Sequence, residues 1–564
     1  MTNRSSDILK KPDWCFNRSI YKSAGYSETD LDRPIIGIAN AWNELVPGHT
    51  NLRQLADHVR KGIHMAGGTV AEFGVIAACD GTAQGHAGMH FILPSRDLIA
   101  SDIEVMVEAH RLDGIVLLGS CDKIVPAMLM AAARLRIPAI FLPGGPMLGG
   151  VESDGRKSDL TTMSEGLGML KSGRIDEATY GNLEESCGPT CGSCAFYGTA
   201  NTMCCMAEAM GMSLPGAALV PGVYNDRLRL GEATGQVIVD LVARNVTADN
   251  IITFEALENA IRVLMATGGS TNAVLHLTAV AAELGISGAQ MMDAYDRLSA
   301  STPQVAKVNP ASKYDMEDFH KAGGIPRVMQ AVATLLHGDC LTVSGGTVTE
   351  NLEGYRYKFP PNPEVIGSMD RPFGEQKGLA ILRGNLAPAT AVTKPAAIDP
   401  AMHVFSGVAR VFDSEEAAEE AILAGRIEEG HVVVIRYEGP KGGPGMREMF
   451  KAMKYLYGMG LAKKTALITD GRFSGTNNGC FVGHISPEAA DGGPLAAVRD
   501  GDRITIDIPA GKLELHASDT EIAERLEKWS RPAPKFTRGY LGIYAHLASS
   551  AADGAVLRVP EEAC

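Results

Sequence analysis

The chain has no long basic run, no uninterrupted apolar stretch near the roughly 18 residues of a membrane span, and no apolar core in its first eleven residues. With a formal net charge of −14, the first absence argues against nucleic acid as a partner, because phosphate binding needs clustered Lys and Arg. The second argues against a membrane, and the third against a secretory signal, so the expected compartment is the cytoplasm. Internal repeats and low-complexity segments are also missing. No H-x3-H pair falls on a helical pattern: His49, His86, His90, His276 and His484 are scattered, and each reads as a structural residue. Anionic substrates stay open, since a bound cation can reverse the local sign of a site.

What is present is an ordinary globular composition, 45% hydrophobic over 564 residues, enough for two large domains or up to four smaller ones. Eleven cysteines without an export signal argue against a disulfide framework and for reduced thiols. Apolar runs at 35–39, 74–78, 114–118 and 138–142 alternate with helical patterns such as 51–64, where Leu52, Leu55, Val59 and Ile63 share a face. That alternation predicts βαβ units and a parallel sheet. Composition shifts to Pro, Gly and charge at 351–378, which puts a boundary near residue 370 and predicts domains over 1–370 and 371–564. Beyond it the pattern turns strand-rich. The period-2 alternation of 504–508 and 513–516 across Pro509-Ala510-Gly511 favours an antiparallel sheet or barrel.

The chemistry concentrates where the run 114–118 ends, in Gly119-Ser120-Cys121-Asp122-Lys123. In open α/β sheets ligands bind beyond the carboxyl ends of the strands. A soft thiol beside a hard carboxylate suggests two different metals side by side. Taken alone, the same residues are a buried cysteine, a capping aspartate and a paired lysine. The run 74–78 leads to a second Cys-Asp, Cys79-Asp80. Cys187, Cys191 and Cys194 have the C-x3-C-x2-C spacing of radical S-adenosylmethionine enzymes, which bind a [4Fe–4S] cluster with one iron open. A zinc site is the other reading, although no partner pair completes a tetrahedron. Alternatively, thiolates from separate loops share one cluster, and Asp80 and Asp122 face a neighbouring Mg²⁺. An ammonium at Lys123 would repel that cation; carbamylation by CO2 would turn it into an anionic oxygen ligand. Glu448 is a further candidate ligand. Ser474 would become a base if metal coordination lowered its pKa.

Together these residues resemble the dihydroxy-acid and sugar-acid dehydratases, a family that includes 6-phosphogluconate dehydratase. The resemblance runs along nearly the whole chain: Cys79-Asp80-Gly81, Leu93-Pro94-Ser95-Arg96-Asp97, Cys121-Asp122-Lys123, Gly192-Ser193-Cys194 with Thr199-Ala200-Asn201-Thr202, Gly268-Gly269-Ser270-Thr271-Asn272, Ile435 through Met446, and Asp470-Gly471-Arg472-Phe473-Ser474-Gly475. It implies a large three-layer α/β/α domain with a mostly parallel sheet and a smaller β-barrel-like C-terminal domain, with the site between them. It also implies homodimers or tetramers built of dimers. Cys121 and Cys194 match cluster ligands, which leaves Cys187 and Cys191 structural. Asp80, Asp122 and Glu448 match Mg²⁺ ligands, Lys123 the carbamylated lysine and Ser474 the base. Members with a [2Fe–2S] cluster carry a cysteine where this chain has Gly48, so Cys79 is assigned as the replacement third thiolate. A [4Fe–4S] cluster with one open iron is favoured over [2Fe–2S].

The activity so implied is elimination of water from a 2,3-dihydroxy carboxylate to give a 2-keto acid. 2,3-Dihydroxyisovalerate is the expected substrate, in a broad pocket that also accepts short sugar acids; an aldonate dehydratase acting on pentonates, gluconate or glycerate is the alternative. Ser474-Gly475-Thr476 resembles the aldonate enzymes, where a hydroxyl such as that of Thr476 helps hold a polyol. A non-catalytic iron–sulfur sensor is the reading from a different class.

Overall fold

The computed structural model describes residues 4–153, 155–171, 173–374, 378–473 and 479–559. The chain divides into two compact units: Met1–Ala78, Leu98–Val263 and Ala306–Arg371 form one, and Cys79–Asp97, Leu264–Val305 and Pro372–Cys564 form the other.

The first unit is built on a four-stranded all-parallel sheet of β1 (Ile35–Asn40), β2 (Thr69–Gly74), β3 (Gly114–Gly119) and β4 (Ala139–Pro143) in the order β2-β1-β3-β4. Strands β1, β3 and β4 are buried along their whole length, which is why they read as continuous apolar runs without alternation. Helix α1 (Leu52–Met65) buries Leu52, Leu55, Val59 and Ile63, the face expected from the sequence. It lies against α4 (Asn225–Arg244), with α2 (Ile124–Leu135) and α3 (Thr199–Ala209) between them in the chain. The α1–α4 crossing is closed by glycines: a Cβ on Gly62 would stand 2.0 Å from the Glu232 carbonyl oxygen, and one on Gly235 2.1 Å from that of Val59.

One expected strand is displaced. The second strand spans Thr69–Gly74, not 74–78, because it pairs in register with β1, Ile35 opposite Thr69 through Asn40 opposite Gly74. β1 ends at Asn40, whose side chain accepts from Trp42 N and donates to Glu72. Once the partner ladder stops, residues 75–79 leave the sheet. Cys79-Asp80 therefore does not follow a strand; it opens a single helical turn, Asp80–Ala83.

The second unit contains a closed eight-stranded barrel. Its strands are β5 (Ala380–Gly384), β6 (Ala387–Thr393), β7 (Val404–Phe412), β8 (His431–Ile435), β10 (Ala466–Thr469), β12 (Cys480–Ser486), β13 (Arg503–Asp507) and β14 (Lys512–Leu515). They close in the order β8-β10-β12-β6-β5-β14-β13-β7. A separate two-stranded ladder joins β9 (Glu448–Met449) to β11 (Arg472–Phe473). The expected hairpin is β13–β14, antiparallel. The barrel as a whole is mixed, since β7, β8, β10 and β12 run parallel. Alternation explains its two apolar layers. Val432, Val434, Ala466 and Ile468 point into the barrel core with Ile504, Ile506, Leu513 and Leu515. Val433, Ile435 and Leu467 face outward onto Ile422, Met453 and Leu456.

Two buried carboxyl groups hold the glycine-rich loop that follows β8. Asp470 accepts from the N–H groups of Tyr437, Glu438 and Ala489. Glu488 accepts from those of Lys441 and Gly442. Burial raises both, Asp470 to about 6 and Glu488 to about 8.

Gly235→Ala separates propensity from packing. Helix propensity alone would stabilise by about 1 kcal/mol, whereas the close α1–α4 approach predicts a net loss on the order of 1–3 kcal/mol, read as a lower urea midpoint. Glu488 yields a pH prediction. An unfolded Glu ionises near 4.5 while the buried one keeps its proton up to about 8. Folding therefore takes up a proton in that window, and stability falls as pH rises through it before levelling above about 8. Glu488→Gln should flatten that part of the slope in urea titrations between pH 5 and 8.5; parallel curves for the two proteins would refute it.

Candidate metal and cluster site

In the first unit, β3 delivers Ser120, Cys121, Asp122 and Lys123 to the turn that opens α2. The turn is tight: the Cys121 carbonyl accepts from Ile124 N at 3.0 Å and Val125 N at 3.2 Å. Ser120 Oγ accepts from Gly144 N at 2.7 Å, tying this turn to the end of β4. Cys121 is buried. Lys123 is fully buried, and its Nζ donates to Asp122 Oδ2 at 3.2 Å. A lysine inside a protein needs such a partner, because desolvating an unpaired ammonium is costly.

The Cys194 turn arrives at the same place. Gly192 N donates to Pro47 O at 3.0 Å, and Ser193 N to Gly145 O at 2.9 Å. Asn201, on α3, donates to the Cys194 carbonyl at 2.6 Å. Gly192 has φ +134, and a Cβ there would stand 2.2 Å from Met147 N. Gly48 sits between the two thiol-bearing turns: a Cβ at this position would come 2.8 Å from Cys121 Sγ and 3.3 Å from Ser193 N. A side chain at position 48 is excluded by the Cys121 sulfur and the residue preceding Cys194. Cys187 is buried at the end of the preceding helix, and Cys191 is half-buried. The cysteines among the described residues form no disulfide.

His49 was read from sequence as structural, because no second histidine stands at ligand spacing. The structure gives it a definite job. It is fully buried, with Nδ1 2.8 Å from the Ala41 carbonyl and Nε2 accepting from Ser120 N at 3.0 Å and Cys121 N at 3.3 Å. Those partners set the tautomer: Nδ1 carries the proton. Burial pushes the imidazole down to about 4, so the ring is neutral at pH 7.

In the second unit, Cys79 and Asp80 begin the turn Asp80–Ala83. Burial, and then the charge of Asp80, raises the Cys79 thiol above its ordinary value. The carboxylate oxygens of Asp80 and Glu448 lie within 4.8 Å of one another. They are brought together because residues 79–97 pack on the glycine-rich loop: His90 Nδ1 lies 2.9 Å from Pro444 O, and a Cβ on Gly445 would stand 2.2 Å from His90 O. The Leu93–Asp97 stretch is an anchor. Arg96, wholly buried, binds Asp97 and the carbonyls of Gly554 and Ala555.

Glu448 is held by a residue for which the sequence suggested no role. Arg472, opposite it in the β9–β11 ladder, donates Nη1 to Glu448 Oε2 at 2.5 Å and Nε to Met446 O at 2.7 Å. Its place in Asp470-Gly471-Arg472-Phe473 was the only signal. Ser474 and Thr476 lie outside the described residues.

The donor chemistry fits two kinds of metal. Cys121 and Cys194, on turns that approach each other closely at Gly48, are soft donors suited to an iron–sulfur cluster. Asp80 and Glu448 offer two close oxygens, which suit a hard cation such as Mg²⁺. Among the described residues, no helix is long and apolar enough to cross a membrane.

Comparison with known proteins agrees along the whole chain. The family model for the dihydroxy-acid/6-phosphogluconate dehydratase N-terminal region matches residues 33–351, and that for the C-terminal region matches residues 364–555. A protein of Acetivibrio thermocellus named dihydroxy-acid dehydratase is 50% identical over 556 residues, covering 98% of this chain and 99% of the relative. One of that name from Caldanaerobacter subterraneus is also 50% identical, over 557 residues, with 98% and 99% covered. Another from Ignicoccus hospitalis is 48% identical, covering 98% of this chain and all of the relative. With the two matched regions spanning thiol-bearing and carboxylate-bearing segments alike, this chain belongs to the dihydroxy-acid/6-phosphogluconate dehydratase family of hydro-lyases.

Proposed function

We propose that this protein dehydrates 2,3-dihydroxy carboxylates to 2-keto acids, with 2,3-dihydroxyisovalerate converted to 2-ketoisovalerate as its main reaction. The observation that carries this reading is half-identity over 98% of the chain to relatives named for that activity. The setting would be branched-chain amino acid biosynthesis in the cytoplasm. The first unit would take the family's three-layer α/β/α form, and the enzyme would be a homodimer or a tetramer built of dimers.

Cys79, Cys121 and Cys194 would hold the cluster. Gly48 supports [4Fe–4S] over [2Fe–2S]: position 48 offers no thiol, and the close approach of Cys121 Sγ leaves no space for a side chain there. Asp80, Asp122, Glu448 and a carbamylated Lys123 would hold Mg²⁺. The Lys123 ammonium balances the Asp122 carboxylate; carbamylation would exchange that cation for an anionic oxygen donor.

When bound, the two metal centres supply Lewis acidity to the substrate carboxylate, the C2 hydroxyl and the departing C3 hydroxyl. The chain supplies the rest. Ser474 takes the C2 proton. The C2–H electron pair forms the C2=C3 bond, and the C3–O bond breaks. Proton and hydroxide leave as water, and the enol tautomerises to the 2-keto acid. Arg472 keeps Glu448 in one rotamer, and Thr476 would bind a substrate hydroxyl.

Anaerobically reconstituted protein should show its highest kcat/KM on 2,3-dihydroxyisovalerate when assayed beside glycerate, gluconate and pentonates. A clear preference for the aldonates would replace the substrate assignment. A cluster-loaded protein that dehydrates none of the four would favour a sensor. Ser474→Ala should lower kcat by about 10²–10⁴-fold with the cluster's absorption spectrum unchanged. Glu448→Gln should raise the Mg²⁺ concentration needed for half-maximal activity by roughly 10-fold or more and leave iron content as it was.

A further inference from the structure

The turn Pro47-Gly48-His49 meets Cys121 twice. Gly48 faces its sulfur, and the next residue holds its main chain. His49 is wholly buried, and one ring nitrogen, Nε2, receives the N–H groups of both Ser120 and Cys121 at 3.0 and 3.3 Å. The other, Nδ1, is anchored at 2.8 Å on the Ala41 carbonyl just past the end of β1. The imidazole is thus a rigid strut from the end of β1 to the end of β3. The main-chain N–H of His49 donates to the Val46 carbonyl at 2.9 Å, so the turn that carries the ring is itself fixed.

This arrangement has an electronic consequence for a thiolate at Cys121. Backbone N–H groups that point at cluster sulfurs favour the reduced, more negative state and raise the reduction potential. Nε2 takes up the N–H of Cys121 and that of the residue before it, so neither is offered to sulfur. We infer that His49 is a positioning residue for the cluster: it fixes the direction of the Cys121 side chain and withholds two main-chain donors from the cluster sulfurs. The inference rests on the proposed role of Cys121 as a ligand, but it assigns His49 no bond to iron.

The test uses the full-length protein reconstituted anaerobically, comparing wild type, His49→Leu and His49→Gln. The leucine removes both hydrogen-bonding nitrogens at similar bulk, and the glutamine amide oxygen can still accept. The readouts are the cluster's midpoint potential, its EPR spectrum in the reduced state, and the rate of iron loss to a chelator. His49→Leu should shift the midpoint positive, change the EPR g values, and lose iron roughly 10-fold faster, the size expected for an outer-shell partner. His49→Gln should return all three toward wild type. A leucine variant with wild-type potential, spectrum and iron loss would overturn the inference. If the leucine variant takes up no cluster, restored loading in the glutamine variant supports the acceptor role, and equal failure of both overturns it. Wild-type protein that loads no cluster would instead defeat the proposed function.

Discussion

Main chains in this protein come together at the thiol-bearing turns more closely than side chains would allow. Gly48, Gly144, Gly145 and Gly192 all lie there, and a Cβ on each would fall between 2.2 and 2.8 Å from a neighbouring atom. At Gly145 and Gly192 two loops touch backbone to backbone, against Val220 O and Met147 N, while Gly48 meets Cys121 Sγ and Gly144 the side chains of Leu52 and Ser120. Because no side chain intervenes, short hydrogen bonds such as Ser193 N to Gly145 O can lock the loops together. The register of Cys121 and Cys194 follows from that locking. Gly48 belongs to the same close packing, since a side chain there would meet the Cys121 sulfur.

The same economy governs charge. Lys123 with Asp122, Arg472 with Glu448 and Arg96 with Asp97 are removed from water in pairs. Removing one partner of such a pair leaves an uncompensated buried charge, typically a loss of 3–5 kcal/mol. Two of the three pairs contain a carboxylate proposed as a metal ligand. The folded chain therefore neutralises those acids internally and holds them in fixed orientations. Asp470 and Glu488 do related work without a counter-charge, spending their oxygens on loop N–H groups. Together they hold the glycine-rich loop that leads to the strand bearing Glu448.

Much of this was legible in the sequence. Uninterrupted apolar runs marked β1, β3 and β4 because burial on both faces removes the need for alternation. The face of α1 was readable from its spacing, and the β13–β14 hairpin from alternation across Pro509-Ala510-Gly511. The second strand was misplaced for a specific reason. Residues 74–78 are as apolar as a strand, but β1 ends at Asn40 and offers no ladder beyond it, so pairing settled on Thr69–Gly74. His49 and Arg472 were missed because each acts through residues distant in the chain, His49 on Ser120 and Cys121, Arg472 on Glu448 and Met446. No periodicity or spacing encodes such a contact.

What the sequence determined alone was chemical identity: which residues can be thiolate, carboxylate, base or amine, and the order of family motifs that assigns the chain to the dehydratases. Those properties are local, set by side-chain type and by neighbours within a few positions. The tertiary structure alone decided which of them meet. Asp80 and Glu448 are 368 positions apart, and their oxygens approach only because the 79–97 segment packs on the glycine-rich loop. Likewise, only the folded chain sets the imidazole of His49 against the N–H groups of Ser120 and Cys121. Close packing between distant segments depends on how the whole chain buries its surface, and no short window of residues contains that information.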